Sequence, residues 1–316
     1  MCYTLAMEVQ QFVEEDFKKL WEQPKDSHKA EGGRVLVIGG SELFHASIFW
    51  SADIASRFVD LVHFASPTNE NNELVRLKLK EKFWDGIVID WSQIDLYVEE
   101  DDVILIGPGM PRMEGLMEGE EATDKVVNRL LKQFPDKKWV VDGGALQECD
   151  VELLSPSCVI TPHIGEMKRL LGKIEESKFK YVNQNIKIGR FEELLNGGNL
   201  EEIAEFVRQV GELFGGTVLL KGVNQKDLVC TQESCVVVGG GNEGLTKGGT
   251  GDVLAGLVVS FYVHNEAARA ACAASYLLKK AADELYQEFG KNYKTSELVL
   301  QIPKTLRSMS VRNFVS

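Results

Sequence analysis

The chain has 316 residues, with 35 Lys and Arg against 48 Asp and Glu (a formal net charge of −13), 44% hydrophobic residues and 26% charged ones. That composition is globular and excludes disordered, collagen-like and disulfide-scaffold classes. A chain this acidic is a poor partner for nucleic acid or an anionic membrane, which need a cationic face, so any phosphate must be bound locally.

From the N-terminus, residues 1–31 read as an amphipathic helical extension that lacks the basic and apolar order of a secretory signal, ahead of one domain over 32–316. Apolar runs follow at RVLVIGG (34–40), DLVHFAS (60–66), DGIVID (85–90), DVILIGPG (102–109), KWVVDGG (138–144), CVITP (158–162) and GTVLLKG (216–222). They are near-continuous, not alternating, as expected of strands buried on both faces of a mainly parallel sheet. Between them, IFWSADIASRFV, EEATDKVVNRLLKQF and LEEIAEFVRQVGELF repeat apolar residues every three or four positions and read as crossover helices. The fold class expected is therefore α/β, built as a βαβ series. Residues 173–197, rich in Lys, Asn and Gly, read as a solvated insertion or lid, and the alanine-rich 269–286 as a close-packed helix or a subunit contact.

Cysteines at 2, 149, 158, 230, 235 and 272 make no CxxC pair and no zinc spacing. Free thiols are expected, Cys230 and Cys235 across a turn included, and a cytoplasmic location with them. The longest uncharged apolar run, Val253 to Val263, is shorter than the roughly 20 residues a spanning helix needs. The five tryptophans, Trp84 among them, have no interleaved basic residues and read as core or interface, not as a base-stacking platform.

In such a sheet ligands bind beyond the carboxyl ends of the strands, where Gly107-Pro108-Gly109, Asp142-Gly143-Gly144, Thr161 to Glu166 and Lys221-Gly222 fall. The strongest chemical signal is GGGNEGLTKGGTGDVLAG, Gly239 to Gly256. Glycines let successive N–H groups converge on one anion, and the helix that follows adds its positive end. Asp252, in that helix's first turn, is placed to act as a base in phosphoryl transfer or, more plainly, to cap the helix. Gly239, Gly241 and Gly244 satisfy GxGxxG, but no helix follows at once, so a Rossmann site is discounted. Neither Gly172-Lys173 nor Gly290-Lys291 continues to Ser or Thr, which excludes a Walker A loop. Pro162 marks the first position of a helix carrying His163 and Glu166. Taken alone, His163 reads equally as a partly buried histidine or a ligand, Glu166 as a dipole-stabilising carboxylate, and Lys221 as a surface lysine.

In order, VLVIGGS (35–41), Phe44-His45, DLVHFASP (60–67), LIGPG (105–109), VVDGGAL (140–146), VITPHIGEMKRLLG (159–172), VLLKG (218–222) and GNEGLTKGGTGDVLAG (241–256) resemble the ADP- or ATP-dependent NAD(P)H-hydrate dehydratases of the ribokinase-like superfamily. The resemblance covers roughly residues 33–290 and implies a three-layer α/β/α domain with a mostly parallel sheet. It implies repair of NADHX and NADPHX, hydrated nicotinamides, by phosphorylation of the ring hydroxyl and loss of phosphate. Asp252 would be the base, with Gly249, Thr250 and Gly251 offering N–H groups to the phosphoryl charge. Lys221, Gly222, Asn242 and Gly251 would bind the adenine nucleotide. Ser47, Gly109, Asp142, His163 and Asp252 would bind the hydrated dinucleotide, and Glu166 would handle Mg²⁺ through water. The glycine segment recognises what ADP and ATP share, so either is expected as donor. A homo-oligomer and a separate epimerase are the partners expected.

The chain departs from the family on the acceptor side. Ala46-Ser47 follow Phe44-His45 where a glycine is usual, Pro111 stands two residues beyond Gly109, and Asp142-Gly143-Gly144 replaces a pattern with two carboxylates. Two rivals follow, a kinase of a small alcohol and a non-catalytic nucleotide sensor.

Overall fold

The computed structural model describes residues 9–68, 73, 85–112 and 121–311. Residues 1–8, with Cys2, and Trp84 lie outside the described residues. Among the described residues ten strands form one sheet. They are β1 (Gln10–Gln11), β2 (Arg34–Ile38), β3 (Leu61–Ala65), β4 (Ile87–Val88), β5 (Val103–Ile106), β6 (Lys138–Val141), β7 (Cys158–Ile160), β8 (Thr217–Val223), β9 (Lys226–Cys230) and β10 (Cys235–Val238). Their order across the sheet is β1-β10-β9-β8-β7-β6-β5-β2-β3-β4. From β4 to β8 all neighbours run parallel; β8, β9 and β10 are joined antiparallel, and β1 returns parallel to β10.

The helices are α1 (Glu14–Phe17), α2 (His45–Ala55), α3 (Ile94–Glu100), α4 (Thr123–Gln133), α5 (Gly143–Glu148), α6 (Ile164–Glu176), α7 (Ile188–Gly197), α8 (Leu200–Phe214), α9 (Thr250–Tyr262), α10 (Ala267–Phe289) and α11 (Thr295–Val311). Side chains alternate across each strand, so one run of apolar residues feeds two cores. Leu36, Ile38, Ile104 and Ile106 face α3 to α8, while Val35, Val37, Val103 and Leu105 face α2 and α9 to α11. Three layers result, α/β/α, as expected. Local chemistry supports α6 and α8 by side-chain caps. In α8, Asn199 Oδ1 accepts from Glu202 N–H at 2.8 Å, Glu202 returns a bond to Asn199 N–H at 2.9 Å, and Gly215 ends the helix at φ 73°.

Three expectations change, and one open choice narrows. Residues 9–31 hold only the single turn α1 as helix. Instead β1 hydrogen-bonds the sheet edge, and Phe12 and Phe17 are buried against Tyr276 and Phe261, so apolar anchoring outweighs helix periodicity there. Residues 173–197 are no solvated lid: α6 runs to Glu176, and Phe179, Ile186, Phe191 and Leu194 are buried in the core. The alanines of α10 face inward, fully buried at 270, 271, 273, 274, 281 and 282, which bears out the close-packed reading of that stripe. Cys230 and Cys235, paired residues of β9 and β10, form a disulfide, because the hairpin register sets them opposite each other. Of the four described tryptophans, only Trp139 is fully buried. No helix among the described residues is long and apolar enough to cross a membrane.

Candidate active site

Four strand ends and one helix start converge. Asp142 ends β6 and is buried; Thr161, just past β7, donates its hydroxyl to Asp142 Oδ1 at 2.6 Å. Lys221, in β8, is aligned by its own N–H, which donates to Pro162 O at 2.8 Å. That pairing brings the lysine ammonium 3.0 Å from Asp142 Oδ1 and 3.8 Å from Glu166 Oε2. The first turn of α9 presents Gly251 to the same ammonium: a Cβ at 251 would stand 3.8 Å from Lys221 Nζ. Asp252 follows, its carboxylate bonded by the Ser47 side chain and its carbonyl by Ser51 Oγ at 2.8 Å.

Three pKa shifts follow. Burial, then the Asp142 charge, pushes Asp252 up to about 6 against the opposing Ser47 bond and Lys221 ammonium. Glu166 is raised by burial, which outweighs the nearby lysine. Burial disfavours the charged form of Lys221, yet Asp142, Glu166 and Asp252 together hold its ammonium above the ordinary lysine range. The three carboxylates thus surround one permanent cation, and one of them stays basic enough to take a proton near neutrality.

The α6 start differs from expectation. Pro162 precedes the helix, and His163 is its N-cap: Nδ1 accepts from the N–H groups of Gly165 at 2.9 Å and Glu166 at 3.3 Å. An accepting Nδ1 leaves the ring proton on Nε2, on a side chain 59% exposed to the crevice. Glu166 Oε2 accepts from His163 N–H at 2.8 Å, and Oε1 from Gln147 Nε2 at 3.3 Å. Oε2 thus completes the reciprocal cap, and Oε1 is held separately by Gln147. Among the described residues no group of three or more His, Cys, Asp or Glu is arranged to hold a metal. With no direct protein cage among those residues, this donor set fits a magnesium ion held mainly by phosphate oxygens and water.

A pocket of about 710 Å³ opens beside Lys221, lined by Gly222, Asn242, Thr250, Gly251, Lys279 and Asp283 among others. It therefore gathers the whole expected nucleotide set, at a volume typical of ligand sites. Asn242, however, contributes its backbone more than its amide: Oδ1 accepts from Gly244 N–H at 3.0 Å and Tyr293 OH at 2.9 Å, and Nδ2 donates to Asp283 at 3.0 Å. Thr250 N–H is used by Lys247 O at 3.3 Å and its hydroxyl by Leu245 O at 2.7 Å. At a helix start the first N–H groups lack intrahelical partners, so with Thr250 N–H engaged, Gly249, Gly251 and Asp252 are the N–H groups that could meet an anion. Gly249, at φ 94° and with Trp50 2.9 Å from its would-be Cβ, sets the turn. A larger depression of about 1180 Å³ between α7 and α8 is lined by charges of both signs and lies away from these strand ends.

On the acceptor side Ser47 and Gly109 meet, since a Cβ at 109 would lie 2.9 Å from Ser47 Cβ. The missing second carboxylate has a steric reason: a Cβ on Gly144 would stand 2.1 Å from Met110 O. Sequence reasoning left out Gln147, Ser51, Trp50, Lys279, Asp283 and Tyr293. No spacing points to them, because long-range packing alone brings them in.

The chain is similar to the ATP-dependent (S)-NAD(P)H-hydrate dehydratase of Drosophila melanogaster, 28% identical over 90% of this chain and 88% of that one. It spans about half, 52%, of the length of other curated relatives it matches. Among solved structures, it shares its fold with a ribokinase-like superfamily protein of Enterococcus faecalis (TM-score 0.75, 21% identity, 98% of both chains). It shares it also with the ADP/ATP-dependent NAD(P)H-hydrate dehydratase of Bacillus subtilis, co-crystallized with ATP/Mg2+ (TM-score 0.72, 20% identity, 96% of this chain and 100% of that one). The family described as NAD(P)H-hydrate dehydratase matches residues 35–304, most of the chain and every strand end described above, and the protein belongs to that family.

Proposed function

We propose that the protein uses ADP or ATP to dehydrate the (S)-hydrates of NADH and NADPH. The observation that carries this reading is the meeting, at the lip of the 710 Å³ pocket, of the Asp252 carboxylate with a helix N-terminus and the Lys221 ammonium. Family membership and the names of the relatives support the substrate. In this reading the nucleotide lies in the pocket with its terminal phosphoryl at Gly251. Asp252 takes the proton of the ring hydroxyl, whose oxygen forms a bond to phosphorus as the bond to the remaining nucleotide breaks. The N–H groups of Gly251 and Asp252 and the Lys221 ammonium balance the charge on the transferred group. Phosphate then leaves with the ring oxygen, a ring proton is lost, and the double bond returns. Magnesium on the nucleotide supplies charge neutralisation, with Glu166 and Asp142 as the residues that hold its water. His163, Ser47 and Gly109 bind the acceptor.

The test is NADHX with Mg²⁺ and either ADP or ATP, read as recovered NADH absorbance. A flat trace with both nucleotides from folded protein rejects the reading. The closed backbone at Gly144 favours, as the second reading, a kinase of a smaller alcohol, which would leave a stable phosphorylated product. A cytoplasmic setting is part of the proposal; the free, buried thiols of Cys149, Cys158 and Cys272 support it and the Cys230–Cys235 disulfide counts against it. So is a cooperating epimerase, since relatives of which this chain spans half are named bifunctional.

A further inference from the structure

The glycine-rich loop ahead of α9 is braced by one short segment more than forty residues further along the chain. Tyr293 is fully buried, at 0% exposure, and its hydroxyl donates to Asn242 Oδ1 at 2.9 Å. Its ring fills the space that a side chain on Gly244 would need, with Cζ 2.4 Å from an ideal Cβ there. Thr295 donates its hydroxyl to Gly248 O at 2.8 Å, and its methyl lies 3.0 Å from a would-be Cβ on Gly249. From the loop itself, the Lys247 ammonium donates to the carbonyls of Lys291 and Tyr293 and lies 4.9 Å from the Tyr293 ring centroid. The one cation of residues 239–251 is thereby turned onto the brace and does not line the nucleotide pocket.

We propose that residues 291–295 form a buckle that sets the loop for a nucleotide's phosphates, with Tyr293 and Thr295 as positioning residues. Glycine chains lose the most conformational freedom on ordering, so a loop ordered in advance binds more tightly than one that must be ordered by its ligand. Asn242, Thr250 and Gly251 carry that order to the pocket, which they line. The inference rests on the nucleotide reading above and is independent of the nicotinamide acceptor.

The test compares Tyr293→Phe and Thr295→Val, which delete one hydroxyl each and keep the packed shape, with Tyr262→Phe as control. Tyr262 is also buried, and its hydroxyl donates to Ser157 O at 3.2 Å, away from the loop. ATP or ADP with Mg²⁺ is titrated by calorimetry onto each folded variant. Each of the two buckle variants should weaken nucleotide binding about two- to tenfold, the worth of one hydrogen bond. In turnover they should raise the nucleotide KM and leave the acceptor KM unchanged. The control should lose melting temperature and keep its nucleotide affinity. Wild-type affinity in both buckle variants, or an equal loss in the control, overturns the buckle. A wild type that binds nucleotide yet leaves NADHX unconverted refutes the dehydratase reading and leaves the buckle to be judged by the same titration; a wild type that binds no nucleotide refutes both.

Discussion

Glycines line both walls of the crevice at Asp252, and they serve opposite ends. On the side of the 710 Å³ pocket some keep space open: nothing lies within 4 Å of a would-be Cβ on Gly222 or Gly248, and at Gly251 the nearest atom is the end of a flexible lysine, while Gly241, Gly244 and Gly249 are packed against side chains. On the acceptor wall they close it. Would-be Cβ atoms on Gly39, Gly107 and Gly144 fall 2.2, 1.8 and 2.1 Å from backbone carbonyls, so those glycines let main chain lie on main chain. A glycine therefore signals a ligand cradle only where the space it frees stays empty. The contrast also places the bonded side chains of Lys221 and Asp252 between a hollow and a closed wall.

The largest effect expected is at the junction. Asp252→Asn should lower turnover at least about 10²-fold, the usual scale of a general base. It should also stabilise the unliganded protein at neutral pH. The folded carboxyl titrates near 6, above its unfolded value, so its stabilising contribution is present below the unfolded value and lost as pH rises through the folded one. The gain for the asparagine variant should reach up to about 3 kcal/mol at pH 7 and vanish below about pH 4, as read from melts across pH. Equal melts at both pH values would remove Asp252 from its buried, charge-crowded setting.

Lys221→Met comes next. Without the central cation the three carboxylates repel more strongly, so Asp252 should titrate higher. Turnover at neutral pH should fall about ten- to a hundredfold, and the acid limb of the rate profile should move to higher pH. An unmoved limb would separate Lys221 from the base. The smallest effect belongs to the closed wall: Gly144→Ala should cost about 1–3 kcal/mol in denaturant unfolding, because a backbone carbonyl must shift. A neutral outcome would mean that this wall has slack and that the contrast between the two walls is weaker than the distances imply.

Much of the fold was legible in the chain. Seven apolar runs become β2 to β8, since burial on both faces leaves an unbroken hydrophobic stretch, and the three- and four-residue spacing of 200–214 becomes α8 to the residue. Legibility fails where long-range contacts decide. Gln10 and Gln11 carry no strand signal and pair because β10 offers an open edge. Pro162 suggested a helix start one turn's edge too early, because His163 supplies the cap from its ring. Phe191 and Leu194 lie in a segment whose Lys, Asn and Gly content suggested solvent, and only the neighbouring α8 gives them a core.

From its residues alone, this chain determines a doubly covered parallel sheet, the position of a glycine-framed helix start at Gly249 to Gly251, and an aspartate beside it. Those are local properties, set by side-chain alternation, glycine backbone freedom and the helix dipole. Tertiary structure decided the rest. It joined Asp142, Glu166, Lys221 and Asp252, spread over 110 residues, into one buried charged cluster, where burial first and then the Asp142 charge raise the Asp252 carboxyl. It also decided which glycines open a hollow and which close one, because a missing side chain acquires its meaning from the atoms packed against it.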